Sequence, residues 1–558
     1  MCSLQWKESR IEMNLRVVSG LMLILLLVSM QYVIFDMPVV VATGIIYIRA
    51  DDSINPQASA AQVNSEPGQF VAQSSIDWWP MFHHDPEHTG ASSSNGPTTN
   101  NTIWIYSTGG TGGSAVRYSP AIVDGRVYVW SGDELCCLNA STGALIWHYA
   151  TYGPVYYSCS PAVWRGIVFV CSGWYWVYAL NATTGALRWI YQTYPNYVIQ
   201  SSSPTVWYGI VFVGGSTPYG ANLLALDADR GILLWNYTTG LLEMSSPAVC
   251  DQNIVFVGSG HSVYALYATT GALIWSYQTG SWVSSPAVAG NVYVGSGDHK
   301  VYALDMFTGS LQWSYQTGAP VDLSSPAVDW RGTVYVGSED GKVYALHGIY
   351  GDALWSYQTG SYVDSSPAVA GGIVYVGSHD GKVYALDEYS GNLVWSYQTG
   401  GAVWSSPAVA GGIVYVGSED GKVYAFGPPP DIAVVSVTPS KTVIAQGYSQ
   451  SINVTIQNQG FLPETFNVTA YANTTIIETK TNITLTSGDS TTVTFTWNTT
   501  GFAKGNYTIT AEATQLPGET DTLDNTLEDG WIIVTLVGDI NADWKVDIED
   551  IYLSLIHI

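Results

Sequence analysis

Six residues near the C-terminus have the types and spacing of a calcium loop. Asp539, Asn541, Asp543, Lys545 (through its carbonyl), Asp547 and Asp550 fall at positions 1, 3, 5, 7, 9 and 12 of that loop. A hard divalent cation takes about six to eight oxygens, and this spacing wraps such a set around one ion. Trp544 stands at position 6, where glycine ordinarily permits the sharp turn. The bland alternative is an acidic, solvated tail. Calcium is the expected cofactor of this loop.

Two other groups could do chemistry. His83, His84 and His88 lie within DWWPMFHHDPEHTG at 77–90 and could ligate a metal, although histidines among aromatic residues more often pack or hydrogen-bond. Cys136 and Cys137 are adjacent, which invites a vicinal disulfide. They sit mid-strand, however, where neighbouring side chains point to opposite faces. The six cysteines make no disulfide framework and read as small buried strand residues. With 18 basic against 44 acidic residues the net charge is −26, so no nucleic-acid partner is expected.

The elements that must position these groups come from a repeat. Ser-Pro recurs with Pro120, Pro161, Pro204, Pro247, Pro286, Pro326, Pro367 and Pro407, 39 to 43 residues apart, and a tryptophan recurs in step from Trp104 to Trp395. A fixed period of this size means one supersecondary unit stacked on its neighbours. Each unit reads as four strands: one after Ser-Pro, then IVYVGS, KVYALD and LVWSYQT. Asp-Gly, as at 380–381, joins the second and third in a tight hairpin. Both parities of these strands are apolar or aromatic, as in sheets covered on both faces. The unit ending near Phe426 lacks its fourth strand, and a matching strand, IWIYSTG at 103–109, stands alone before the first Ser-Pro. The strand around Trp104 is expected to close the ring, giving eight blades and no open edge.

The loops entering each first strand should converge on one mouth. Their variable residues are Arg117, Tyr118, Tyr157, Gln200, Glu243, Trp282, Asp322, Asp364 and Trp404, with Tyr156 beside Tyr157. Aromatic faces could stack on sugars while the carboxylates accept hydroxyl hydrogen bonds, which suits a neutral ligand, although aromatic packing between blades explains any one of the rings better. One cation among these residues leaves a multiply anionic ligand without charge-assisted partners.

Ala385, Asp387, Gly391 and Trp395 give the pattern Ala-x-Asp-x-x-x-Gly-x-x-x-Trp, which resembles the tryptophan-docking motif of the pyrroloquinoline-quinone-type propeller repeat. That repeat occurs in quinoprotein dehydrogenases and in the propeller lipoprotein of outer-membrane assembly, and the segment 77–90 resembles their lead-in. INVTIQNQG, GNYTITAEA and TDTLDNT resemble the adhesion-related domain abbreviated CARDB, which implies a spacer or adhesive module. GDINADWKVDIEDI resembles the first loop of a dockerin; dockerins carry two, so a truncated module is expected, with a cohesin as its implied partner.

The fold expected is all-β: an eight-bladed propeller, an Ig-like sandwich and a partial dockerin or EF-hand-like segment. The boundaries are a signal peptide or membrane anchor at 1–50, a linker at 51–76, the propeller at 77–427, a Pro-rich linker at 428–431, the sandwich at 432–536 and the calcium loop at 537–558. Lys7, Arg10 and Arg16 before an apolar run point to export, so a secreted or cell-surface protein is expected, anchored if the segment stays. Ten Asn-x-Ser/Thr sequons fit a surface glycoprotein. The function expected is non-catalytic: a binding or scaffold protein whose propeller presents loops to a protein or glycan. The alternatives are a quinone-dependent alcohol or sugar dehydrogenase, and a dockerin-tethered carbohydrate-associated component. Pyrroloquinoline quinone is not expected as a cofactor.

Overall fold

The computed structural model describes residues 77–108, 115–131, 134–151, 159–172, 176–193, 202–217, 220–239, 245–460, 462–538 and 545–547, besides a backbone pairing of Val40–Val41 with Gly44–Ile45. The chain divides into compact units at 1–73 and 74–558. Apart from that pairing, the expected leader and linker lie outside the described residues. No helix occurs among the described residues, and hence none long and apolar enough to cross a membrane.

The repeat folds as a succession of four-stranded antiparallel sheets. The first holds Ala121–Val123, Arg126–Ser131, Glu134–Asn139 and Leu145–Ala150. Six more follow at 162–192, 205–238, 248–278, 287–316, 327–358 and 368–398. The last joins three strands at 408–426 to Thr102–Ser107, with Ala425 opposite Trp104. The innermost strands touch in chain order, and the last touches the first, so the succession closes on itself.

Each recurring residue has a physical job in that closure. At seven of the eight prolines the preceding serine donates its backbone N–H to the hydroxyl of the corresponding serine in the next sheet: Ser119 to Ser160 at 3.0 Å, Ser160 to Ser203 at 3.1 Å and, across the seam, Ser406 to Ser119 at 3.2 Å. The proline that follows has no N–H to leave unpaired in this buried belt. Each docking tryptophan from Trp104 to Trp355 donates its indole N–H to a turn carbonyl of the next sheet, as Trp355 does to Glu388 at 3.0 Å. Its ring lies against the turn glycine. Gly391 has φ +70°, and a Cβ there would come within 2.6 Å of Trp355, so only glycine fits. The acidic or amide residue four positions earlier caps the same turn: Asp387 Oδ1 accepts from the Ser390 N–H at 2.8 Å, and Asn139 and Asn181 do likewise. The sequons at Asn139 and Asn181 therefore coincide with turn caps.

The segment before Trp104 does more than lead in. Trp79 pairs with Ile122, and the carbonyls of Pro80, Pro86, Glu87, Thr89 and Gly90 accept N–H bonds from Val163, Val249, Val288, Val328 and Val369, at 2.6 to 2.9 Å. Residues 79–90 thus run round the inner edge of the ring, satisfying donors that inner strands would otherwise expose. Ala91–Ser92 adds a parallel strand to Ala368–Ala370. Because the final sheet takes its fourth strand from the N-terminal side, it has no turn for Trp395 to dock on. Pro97 supplies the carbonyl instead, accepting from Trp395 Nε1 at 2.9 Å and Tyr375 OH at 3.0 Å.

Beyond Pro430 the chain forms a sandwich of a three-stranded and a five-stranded sheet. Its core holds Ile452, Val454, Phe495, Trp497 and Ile532. Buried Glu519 ties the sandwich together, accepting from the N–H groups of Ile432 and Leu516 and from the Asn525 amide. A cavity of about 240 Å³ lies at the junction with the propeller, between Ile103, the three prolines at 428–430, Leu462 and Pro517.

Candidate functional site at the mouth of the ring

Two kinds of loop meet at the end of the ring where the inner strands begin. One carries the mouth positions read from the sequence. The other is the hairpin between the second and third strands, whose tip residue changes from Glu339 to His379 to Glu419 in otherwise near-identical units. That substitution pattern is the sequence signal for the second kind of loop.

Arg117, Trp282, Asp322, Asp364 and Trp404 line this end of the ring together with His379 and Glu419. Asp364 is buried, and its Oδ2 lies 2.9 Å from His379 Nε2, although out of line for a hydrogen bond. The His379 ring packs on Trp404 with centroids 4.1 Å apart and beside Tyr362 at 5.8 Å. Arg117 reaches across the seam, its guanidinium 5.5 Å from the Trp404 centroid and its Nη2 2.7 Å from Glu419 Oε1. Asp322 has a buried, unpaired Oδ1, and its Oδ2 approaches Gly297 so closely that a Cβ there would lie 3.1 Å away. Trp282 is 38% exposed and meets His261 edge-on at 5.3 Å.

Crowding of carboxylates shapes the electrostatics. Burial, with the Asp322 charge adding to it, pushes the Asp364 carboxyl up to about 6. Burial also raises Asp322, and it raises Glu339, which feels both Asp364 and Asp322. Burial pushes the His379 imidazole down, against the pull of Glu419 and Glu339. Lysines after the hairpins turn to their own sheets: Lys342 sits 5.9 Å over Tyr344, and Lys422 lies 3.6 Å from Asp420.

Not every position joins this surface. Tyr118 packs half-buried against the cluster of Trp130, Leu135 and Tyr178 between the first two sheets. Tyr156, Tyr157, Gln200 and Glu243 lie outside the described residues, as do Asp539, Asn541, Asp543 and Asp550 of the calcium loop. Lys545 and Asp547 are described and exposed. Among the described residues no group of three or more His, Cys, Asp or Glu could hold a metal ion.

The histidines lie elsewhere. His83 and His88 are buried in the inner-edge segment, and His84 bonds Asp77 at 3.1 Å and Asp85 at 3.3 Å. Cys136 and Cys137 are free and buried on opposite faces of one strand, Cys136 in the cluster with Trp104 and Cys137 in that with Trp147.

The family model described as outer membrane protein assembly factor BamB matches residues 93–246, 239–362 and 358–428. The chain belongs to that family. The BamB-type propeller is followed by a match to CARDB at 429–527. Among solved structures, the chain is similar to a europium-containing methanol dehydrogenase (15% identity, TM-score 0.54, covering 63% of this chain and 98% of that one). It is also similar to the quinohemoprotein alcohol dehydrogenase of Comamonas testosteroni (18% identity, TM-score 0.53, covering 63% and 80%). A third likeness is to the computationally designed Ika8 protein (21% identity, TM-score 0.50, covering 57% and 98%). These likenesses show the fold. No curated protein matches the chain.

Among the described residues the mouth of this BamB-family ring carries four carboxylates and one arginine. The carboxylates are Asp322, Glu339, Asp364 and Glu419, and Arg117 is paired with Glu419 at 2.7 Å.

Proposed function

We propose that the protein is a non-catalytic, exported binding or scaffold protein whose propeller mouth receives a segment of a protein partner. The observation that carries this reading is the engagement of Arg117 by Glu419 and Trp404, which leaves aromatic faces and carboxylates as the groups on offer. Such a surface suits a polar or basic peptide, whose N–H groups donate to the carboxylates while its apolar parts lie on Trp282 and Trp404. The match to an assembly-factor family agrees with a protein partner. The CARDB-like sandwich serves as a spacer, and the acidic loop at 539–550 as a calcium site that steadies the C-terminal end.

The test is a displayed peptide library panned on the full chain. Selected peptides are expected to bind the Trp282→Ala and Trp404→Ala proteins at least tenfold more weakly. Uptake of pyrroloquinoline quinone with Ca²⁺, with dye-linked alcohol oxidation lost on Asp322→Ala or Asp364→Ala, would establish the dehydrogenase reading instead. A soluble oligosaccharide that outcompetes every peptide would make the partner a glycan.

A further inference from the structure

The face opposite the mouth breaks the symmetry of the repeat. In the third-to-fourth-strand turns of the first four complete sheets one position holds Ser141, Thr183, Asp229 and Thr269; in the next three it holds Phe307, Ile349 and Tyr389. Nothing in the ring's packing calls for this change, because these side chains project outward: Ile349 and Tyr350 are each 70% exposed and Tyr389 67%. Trp330, on the neighbouring first-to-second-strand turn, is 86% exposed.

These rings are braced rather than loose. Arg331 lies beneath them, held by Asp329 Oδ2 at 2.8 Å from its Nη2 and 3.1 Å from its Nε, and by Glu388 Oε1 at 2.5 Å. Both carboxylates are almost wholly buried, so the guanidinium is fixed. It stacks 4.1 Å from the Tyr389 centroid and 5.8 Å from that of Trp330. Tyr350 is stacked on His347 at 4.7 Å, and the turn carrying it is pinned by the Gly348 N–H to Gly332 O, at 2.9 Å. Each tyrosine thus keeps one face against a fixed neighbour and turns the other to solvent. Ordering these rings beforehand removes much of the entropic cost of binding.

We propose that Trp330, Tyr350 and Tyr389, with Asp352 and Asp387, form a second docking surface, for a lysine- or arginine-bearing segment of a protein partner. Charge selects the occupant. Asp329 and Glu388 are spent on Arg331, which leaves Asp352 and Asp387 as the carboxylates on offer, in a chain of net charge −26. Asp387 stays ionised because the Ser390 side chain and N–H hold its carboxyl below the usual range, and Asp352 is exposed. Cationic side chains bind the open faces of tryptophan and tyrosine, and more strongly beside carboxylates. A second copy of this chain, equally acidic, is repelled, as is an anionic lipid surface. The surface is independent of the mouth.

The test uses the full chain and a fluorescent octapeptide of alternating Lys, Arg and Gly, with its Glu counterpart and cellohexaose as controls. The basic peptide is expected to bind, to weaken with salt, and to lose at least tenfold in affinity on joint Trp330→Ala and Tyr389→Ala substitution. That double variant leaves the charge unchanged, so general attraction to an acidic protein survives it. The tenfold loss should be the same when the double substitution is made in a Trp404→Ala background, which separates failure here from failure at the mouth. Equal binding of the basic peptide to the double variant overturns the proposal. So does preferential uptake of cellohexaose, which would assign the rings to a glycan.

Discussion

Replacing His88 with asparagine should remove part of the protein's sensitivity to acid. The ring is wholly buried, its Nε2 lies 3.0 Å from Thr205 Oγ1, and its Nδ1 has no partner. The Thr205 hydroxyl itself donates to Pro247 O, so its oxygen accepts and the His88 proton is assigned to Nε2. Burial pushes the imidazole down to about 4, from an ordinary value of 6.5. A histidine with a depressed folded pKa costs nothing above about pH 6.5, and its penalty grows as pH falls from there toward the folded value. At pH 5 the unfolded chain has bound the proton and the folded chain has not. The gap of about 1.5 pH units, at roughly 1.36 kcal/mol each, gives a penalty of about 2 kcal/mol. Asparagine does not titrate and accepts the left-handed backbone found here, φ 57°. Urea unfolding of both proteins at pH 7.5 and pH 5 is the assay. The stability difference should move by about 2 kcal/mol in favour of the variant at the lower pH. His84, held up at about 9 by Asp77 and Asp85 against the effect of burial, titrates in both proteins and cancels. Parallel pH profiles would refute the placement of His88 in the inner edge of the ring.

Trp104→Ala removes a buried ring and its bond to Ala140 O at 2.8 Å from the closing strand, and should cost about 3–5 kcal/mol in thermal or urea unfolding. Gly391→Ala, which sets a Cβ 2.6 Å from Trp355, should cost about 2–4 kcal/mol, whereas Gly290→Ala, with equal backbone strain but open space around it, should cost about 1 kcal/mol. Calorimetric titration with Ca²⁺ should reveal one site lost in Asp539→Ala and Asp543→Ala together; unchanged heat in that variant would assign the loop to an acidic tail.

The architecture could be read from sequence because its anchors each do a job that few residues can. Ser119 and Ser406 must offer both an N–H and a hydroxyl to adjoining sheets, Gly391 must leave room for an indole, and Asp387 must cap a turn. The same logic exposed the orphan strand at Trp104, which pairs beside Ala425. The inner-edge segment was not legible, since Pro80, Pro86 and Gly90 act through backbone carbonyls that any residue carries. The mouth was half legible. Asp322, Asp364, Trp282 and Trp404 stood out as departures within a repeat. That His379 would lie against Asp364 and Trp404 depends on lateral packing of two loops from adjoining sheets, which spacing along the chain does not encode. Tyr118 carried the same aromatic signal as Trp404, yet it packs half-buried against Trp130, Leu135 and Tyr178 while Trp404 packs on His379.

The sharpest question is whether the mouth recognises a partner or performs redox chemistry. Titrating the full chain with pyrroloquinoline quinone and Ca²⁺, while following cofactor absorbance and dye-linked alcohol oxidation, answers it. Carboxylates around a single, already engaged arginine predict no saturable uptake and no oxidation. Stoichiometric uptake with turnover, abolished by Asp364→Ala, would contradict the account.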